Sequence, residues 1–174
     1  TLPTIMKNAI LITIITLISF ISCSKRTISE QIFEIKKTDF MFGGMVVSAN
    51  PFLLMDKNGE TYFRKKGGVS GINLENPQLD KLHGADEMVT DSTNAVLILS
   101  YPLKKTIGYR IQNDNGFNRK NIALELSKAY SKIYSEKKKY AVCCDELSDL
   151  ELTMIMVFEV NGEIYLESKV ESKK

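Results

Sequence analysis

The sequence predicts an α+β domain: an antiparallel sheet of about six or seven strands, built largely from hairpins, with one long helix packed on one face. Three observations lead there. Asn58-Gly59 and Asn161-Gly162 each sit between strand-like runs, the strongest short-range hairpin signal. Val96, Leu97, Ile98 and Leu99 form an unbroken apolar run, followed by the alternation of Ile107, Tyr109 and Ile111. Finally, Ile122, Leu126, Ala129 and Ile133 recur at helical spacing, with Tyr130 at the margin of the stripe.

In chain order, Ile32, Phe33, Ile35, Phe40 and Phe42 suggest a first strand over residues 32–42, with helix as a competitor because the period is mixed. Phe40, Met41, Phe42 and Met45 flank two glycines and read as core, or else as an adaptable Met-rich binding patch. Strand continues over 46–49, breaks at Asn50-Pro51 because proline cannot donate to a ladder, and resumes over 52–55. The Asn58-Gly59 turn leads into Thr61, Tyr62, Phe63 and Arg64. Residues 65–71 are a Gly-rich connector, lacking the spacing with which a lysine and a hydroxyl hold phosphates at a helix start. Asp56, Asn58 and Glu60 fail the calcium-loop pattern, which needs a glutamate at its twelfth position. Residues 73–94 read as a long loop with one helical turn near 78–82, either functional or partly ordered by something the sequence does not show.

Residues 95–101 and 106–112 form a second antiparallel pair around a turn at 102–105. The helix follows Asn118, whose side chain can cap the first turn, and Phe117 and Ile122 have the spacing of a hydrophobic staple. Lys128, Lys132 and Glu125 lie on its outer side, with Lys137, Lys138 and Lys139 at its end, where lysines offset the negative helix terminus. The same five lysines could face anionic lipid head groups. Asp145, Glu146, Asp149 and Glu151 read as a solvated turn before the last hairpin, 152–160 and 163–170, whose first arm is central in the sheet. Residues 172–174 are expected to fray.

With 44% hydrophobic and 25% charged residues the chain has an ordinary globular composition, and its formal charge is only +2. That balance argues against nucleic acid as a main partner, which needs a concentrated basic field. No motif calls for a cofactor. The placement of the protein rests on residues 6–23: Lys7, an apolar run from Ala9 to Ile21, then Ser22-Cys23. This is the order of a signal peptide, and the run is too short to span a bilayer, which takes about 20 apolar residues. Residues 1–5 precede Met6 and are read as upstream sequence.

Leu17-Ile18-Ser19-Phe20-Ile21-Ser22-Cys23 resembles the lipobox of bacterial lipoproteins, although Phe20 stands where leucine is commonest. The resemblance covers the leader alone. It implies cleavage before Cys23, a diacylglyceryl (palmitate-type) anchor on the Cys23 thiol, and a mature protein held on a membrane of the cell envelope. Ser24 is compatible with outer-membrane sorting in such proteins. The expected organisation is therefore 1–22 upstream residues and cleaved leader, 23–31 lipidated cysteine and tether, and 32–174 a single globular domain. An extended tether reaches about 25 to 30 Å.

With Cys23 acylated, Cys143 and Cys144 remain, and neighbours in sequence cannot ligate a metal as Cys-x-x-Cys pairs do. They are open to three states: buried free thiols, a ring disulfide, or a redox or cross-linking role toward another chain. Two function classes follow. One is a lipid-anchored binding or accessory module for an envelope protein or glycan. The other is an envelope enzyme, using Cys143 or Cys144 with His83, the single histidine, or a carboxylate pair drawn from Asp145, Asp149 and the acids near Asp86.

Overall fold

The computed structural model describes residues 31–36, 44–62 and 70–174. The leader, Cys23, most of the tether, the Phe40-Met41-Phe42 segment and the lysines of the Gly-rich connector lie outside the described residues. The elements are β1 (Ile32–Glu34), β2 (Met45–Pro51), β3 (Ile72–Asn73), β4 (Met88–Thr90), β5 (Asn94–Leu99), β6 (Ile107–Gln112), β7 (Phe117–Asn118), α1 (Arg119–Ser135), β8 (Leu150–Val160) and β9 (Glu163–Ser172). Single 3₁₀ turns occupy Leu79–Lys81 and Leu147–Asp149.

The fold is α+β, with a seven-stranded sheet in the order β1-β6-β5-β9-β8-β2 and β3 pairing with β8 past the end of β2. The sheet is mixed rather than purely antiparallel, because β5 and β9 run parallel. Hairpins β5–β6 and β8–β9 lie side by side with their inner strands aligned, and α1 joins them. Of the two Asn-Gly turns, Asn161-Gly162 closes a long hairpin, both residues having the positive φ (52° and 79°) that such turns require. Asn58-Gly59 closes only a single bridge, Met55 to Thr61, and residues 52–55 do not form a continuous strand. There Phe52 and Leu54 turn into the core instead.

Burial along β8 shows how the sheet serves two faces. Leu150 and Leu152 face α1, then the register shifts at Thr153, and Ile155 and Val157 face α1 while Met156, Phe158 and Val160 face the other side. One extra residue reverses the parity of a strand, so this bulge keeps apolar residues inward on both arms. The main core joins these positions to Leu97, Leu99, Ile107, Ile111 and Leu166 under the buried stripe of α1. Fully burying each such aliphatic side chain contributes about 1.5–3 kcal/mol. Tyr130, expected at the stripe's margin, is wholly buried. On the other face, Phe33 of β1 lies directly opposite Gly108 and covers it, and the Arg110 guanidinium sits 4.3 Å from the Phe33 ring centre.

The cap predicted for α1 is present: Asn118 Oδ1 accepts from the Asn121 N–H at 2.8 Å. The other N–H groups at this end are used by the long loop, Arg119 donating to the Glu87 carbonyl and Lys120 to that of Ala85. Arg119 also pairs with Glu87 at 2.9 Å and donates to the His83 carbonyl. Residues 73–94 are thus ordered by the helix start, and they contain a strand the sequence did not signal, β4, paired with β7. Because protein oxygens take up the Arg119, Lys120 and Asn121 N–H groups, these backbone donors are not free for an anion. Asn118→Ala should lower stability by about 1 kcal/mol, read as a shift in the urea midpoint at unchanged slope.

The end of the chain is tied down rather than frayed. Ser172 Oγ donates to Asp145, the Lys173 N–H donates to the Asp149 carbonyl, and Lys174 pairs with Asp149.

Candidate functional site

The two cysteines lie just past the end of α1, in a turn held from both sides. The Cys143 N–H and Sγ both reach the Pro102 carbonyl, at 3.2 and 3.3 Å, and the Asp145 N–H donates to the Cys143 carbonyl at 2.8 Å. That closes a three-residue turn centred on Cys144, whose φ of 67° is unusual for a side chain larger than glycine's. Both thiols are free; Cys143 is half-buried and Cys144 exposed, so the expectation of buried thiols fails for Cys144. Hydrogen bonding to Cys143, with smaller contributions from desolvation and the Asp145 charge, pushes the Cys144 thiol up from its usual range. A thiol that stays protonated near neutral pH is a weak nucleophile.

The acids after it are structural. Asp145 accepts from Tyr101 Oη at 2.6 Å and from Ser172 Oγ at 3.0 Å, and Tyr134 Oη donates to its carbonyl. The bond to Asp145 pushes the Tyr101 hydroxyl up to about 12. Glu146 and Asp149 cap the 3₁₀ turn reciprocally. Glu151 is buried and accepts from the Gly71 N–H. The solvated turn expected here is therefore a braced one.

His83 is exposed and belongs to the loop at the start of α1, as does Asp86, whereas the cysteines and Asp145 sit at its end. Those ends are separated by about 25 Å at 1.5 Å per residue. Neither the thiol–histidine set nor a carboxylate pair uniting Asp145 with the Asp86 region is assembled. Among the described residues no group of three or more His, Cys, Asp or Glu is placed to hold a metal ion. An open depression of about 440 Å³ is lined by Met55, Asp56, Lys57, Tyr62, Asp80 and Lys81. Its charges balance, and Asp56 is already engaged by the Asn58 and Glu60 N–H groups.

Of the five lysines expected on the outer side of α1 and just after it, four have carboxylate partners. Lys128 pairs with Glu125, Lys132 and Lys139 with Glu136, and Lys137 with Glu146, leaving Lys138 without an ion pair among the described residues. Hydrogen bonds from Lys132 and then Lys139 hold the Glu136 carboxyl down to about 2. Its folded pKa is depressed, so its stabilising effect is complete above the ordinary carboxylate range and is lost as pH falls toward 2. A carboxyl NMR titration should place Glu136 near 2, and Lys132→Ala should move it upward toward its ordinary 4.5.

Met45 is exposed, against its reading as core and in line with the patch alternative, and Val46 and Val47 extend the surface beyond what the sequence marked: the three stand at the edge of the sheet formed by the described residues, 72%, 56% and 55% exposed. The signal was available as the absence of any charged residue from Gly44 to Met55.

These features define a class by architecture: a mixed sheet carrying, among the described residues, one α-helix of 17 residues, with the polar clusters used as braces. No protein family, curated protein or solved structure compared with the chain matches it.

Proposed function

We propose that this chain is a lipid-anchored binding or accessory module of a bacterial cell envelope. It is held through a diacylglyceryl thioether on Cys23 and presents its globular part, on a short tether, to an envelope protein or glycan. The observation that carries the reading is the Lys7, Ala9-to-Ile21, Ser22-Cys23 leader. The separation of His83 and Asp86 from the cysteines and Asp145 by the length of α1, together with the use of Asp145 and Asp149 as braces, supports binding over catalysis. The paired lysines lend the anchor at most a weak additional attraction to anionic head groups, since each bound glutamate cancels part of the field.

Metabolic labelling with a palmitate analogue tests the anchor. The wild-type chain should incorporate label and lose its leader, and Cys23→Ala should do neither. Equal labelling of the two would refute the anchor. In-cell crosslinking of the mature protein, read by mass spectrometry, should then recover an envelope protein or glycan.

A further inference from the structure

We propose that β2 is a self-association edge, along which two copies of this chain pair antiparallel about a twofold axis. Its three consecutive exposed apolar residues, Met45, Val46 and Val47, are half of the exposed large hydrophobics among the described residues. Among those residues, the backbone of Met45 to Asn50 bonds only inward, to β8, and the one side-chain bond in the strand is internal, Asn50 Nδ2 to Ser48 Oγ at 2.9 Å. An open row of N–H and C=O groups is a template for another strand.

The opposite edge shows what protection looks like in this fold. β1 is three residues long, it carries Glu34 in an ion pair with Lys105, and Lys36 follows it. Gln31 bonds Arg110 through both its backbone carbonyl and its side chain. β2 has none of these devices; its irregularities are a bulge between Val46 and Ser48 and the terminal Pro51.

Charge selects the occupant. A twofold axis sets the edge against an identical copy of itself, residue i meeting residue j and j meeting i, so an edge of a single charge sign would repel itself. From Gly44 to Met55 there is no charge, and the edge is self-complementary. Its size sets the strength. A six-residue strand about 20 Å long, facing its partner over about 10 Å of depth, covers about 200 Å². That is well below the about 800 Å² per partner of a stable interface. The copies therefore associate reversibly, and the extent follows local concentration. This holds whether or not Cys23 is acylated, so it stands apart from the anchor reading.

The test uses the full chain with Cys143→Ser and Cys144→Ser, to which Val47→Cys is added near the proposed axis. After mild oxidation in detergent extract, the Val47→Cys chain should give a reducible adduct of twice the chain's mass. Its yield should exceed by about tenfold that of a Glu34→Cys control and that of the background without an added cysteine, as expected when pairing raises effective concentration. Adding Ala49→Lys should return the yield to the control level while circular dichroism stays unchanged. Sedimentation of the wild-type chain should show dimer growing with concentration. Equal yields from Val47→Cys and Glu34→Cys, an adduct of another mass, or a strictly monomeric wild-type chain at high concentration would each overturn the proposal.

Discussion

Tyr130→Ala is expected to cost about 3–5 kcal/mol, as removal of a fully buried aromatic side chain does. That is a large share of the about 5–15 kcal/mol that holds a single domain folded. Tyr130 lies within the buried stripe of α1, and its hydroxyl donates to the Tyr101 carbonyl at 2.7 Å. Burial pushes that hydroxyl's pKa well up, so it stays a donor at any ordinary pH. Two effects therefore combine, the cavity left beneath the helix and the orphaned carbonyl at the end of β5. Tyr130→Phe separates them: it keeps the ring and should lose only about 0.5–1.5 kcal/mol, the net worth of one hydrogen bond to a part-buried carbonyl. Urea unfolding of both variants measures the two costs, and a Tyr130→Phe midpoint equal to wild type would show that the Tyr101 carbonyl finds water instead.

Gly71→Ala is the second large effect, expected at about 3 kcal/mol, the upper part of the usual range for overpacking. A Cβ on Gly71 would stand 2.1 Å from the Leu152 carbonyl oxygen and 2.8 Å from its carbon. Both atoms are backbone, so neither can rotate away. The next residue, Ile72, pairs with Leu152, and the Gly71 N–H donates to the buried Glu151 carboxylate. The added methyl would force β3 off β8 and unseat that carboxylate together. Gly59→Ala is the contrasting case: nothing lies within 4 Å, and only the left-handed φ of 81° opposes it. That strain costs about 1–2 kcal/mol. Thermal or urea denaturation should rank Gly71→Ala well below Gly59→Ala.

Much of the fold was legible because it rests on local chemistry. Asn118 caps α1, Ile122, Leu126, Ala129 and Ile133 face inward, and Asn161-Gly162 makes its hairpin, each from interactions spanning a few residues. Strands β5 and β6 follow from runs that read the same way in any context. β4 was invisible, being three residues whose only ladder is with Phe117-Asn118, far along the chain. The parallel contact of β5 with β9 was equally hidden, since apolar periodicity states that a strand is buried but not which strand lies beside it. Tyr130 reads as marginal on a helical wheel, and the breadth of sheet beneath α1 covers it.

The candidate sites divide along the same line. Cys143-Cys144 and the acids after them announce reactive side chains, yet reactivity depends on neighbours drawn from Tyr101, Pro102, Tyr134 and Ser172, which only folding supplies. Those neighbours turn Asp145 into a brace and leave Cys144 outside. His83 and the cysteines could have met in space, and the length of α1 holds them apart.

By itself the sequence determined the helix and its cap, the two principal hairpins and the overall α+β character, and it alone carries the leader-like run of residues 6–23 on which the envelope proposal depends. Only the tertiary structure decided strand order, the place of β2 at the edge of the sheet among the described residues, and the conversion of the polar clusters into supports. The reason is one of range: caps, turns and periodicity act over a few residues, whereas an edge or a brace exists only once segments distant in the chain have been brought together.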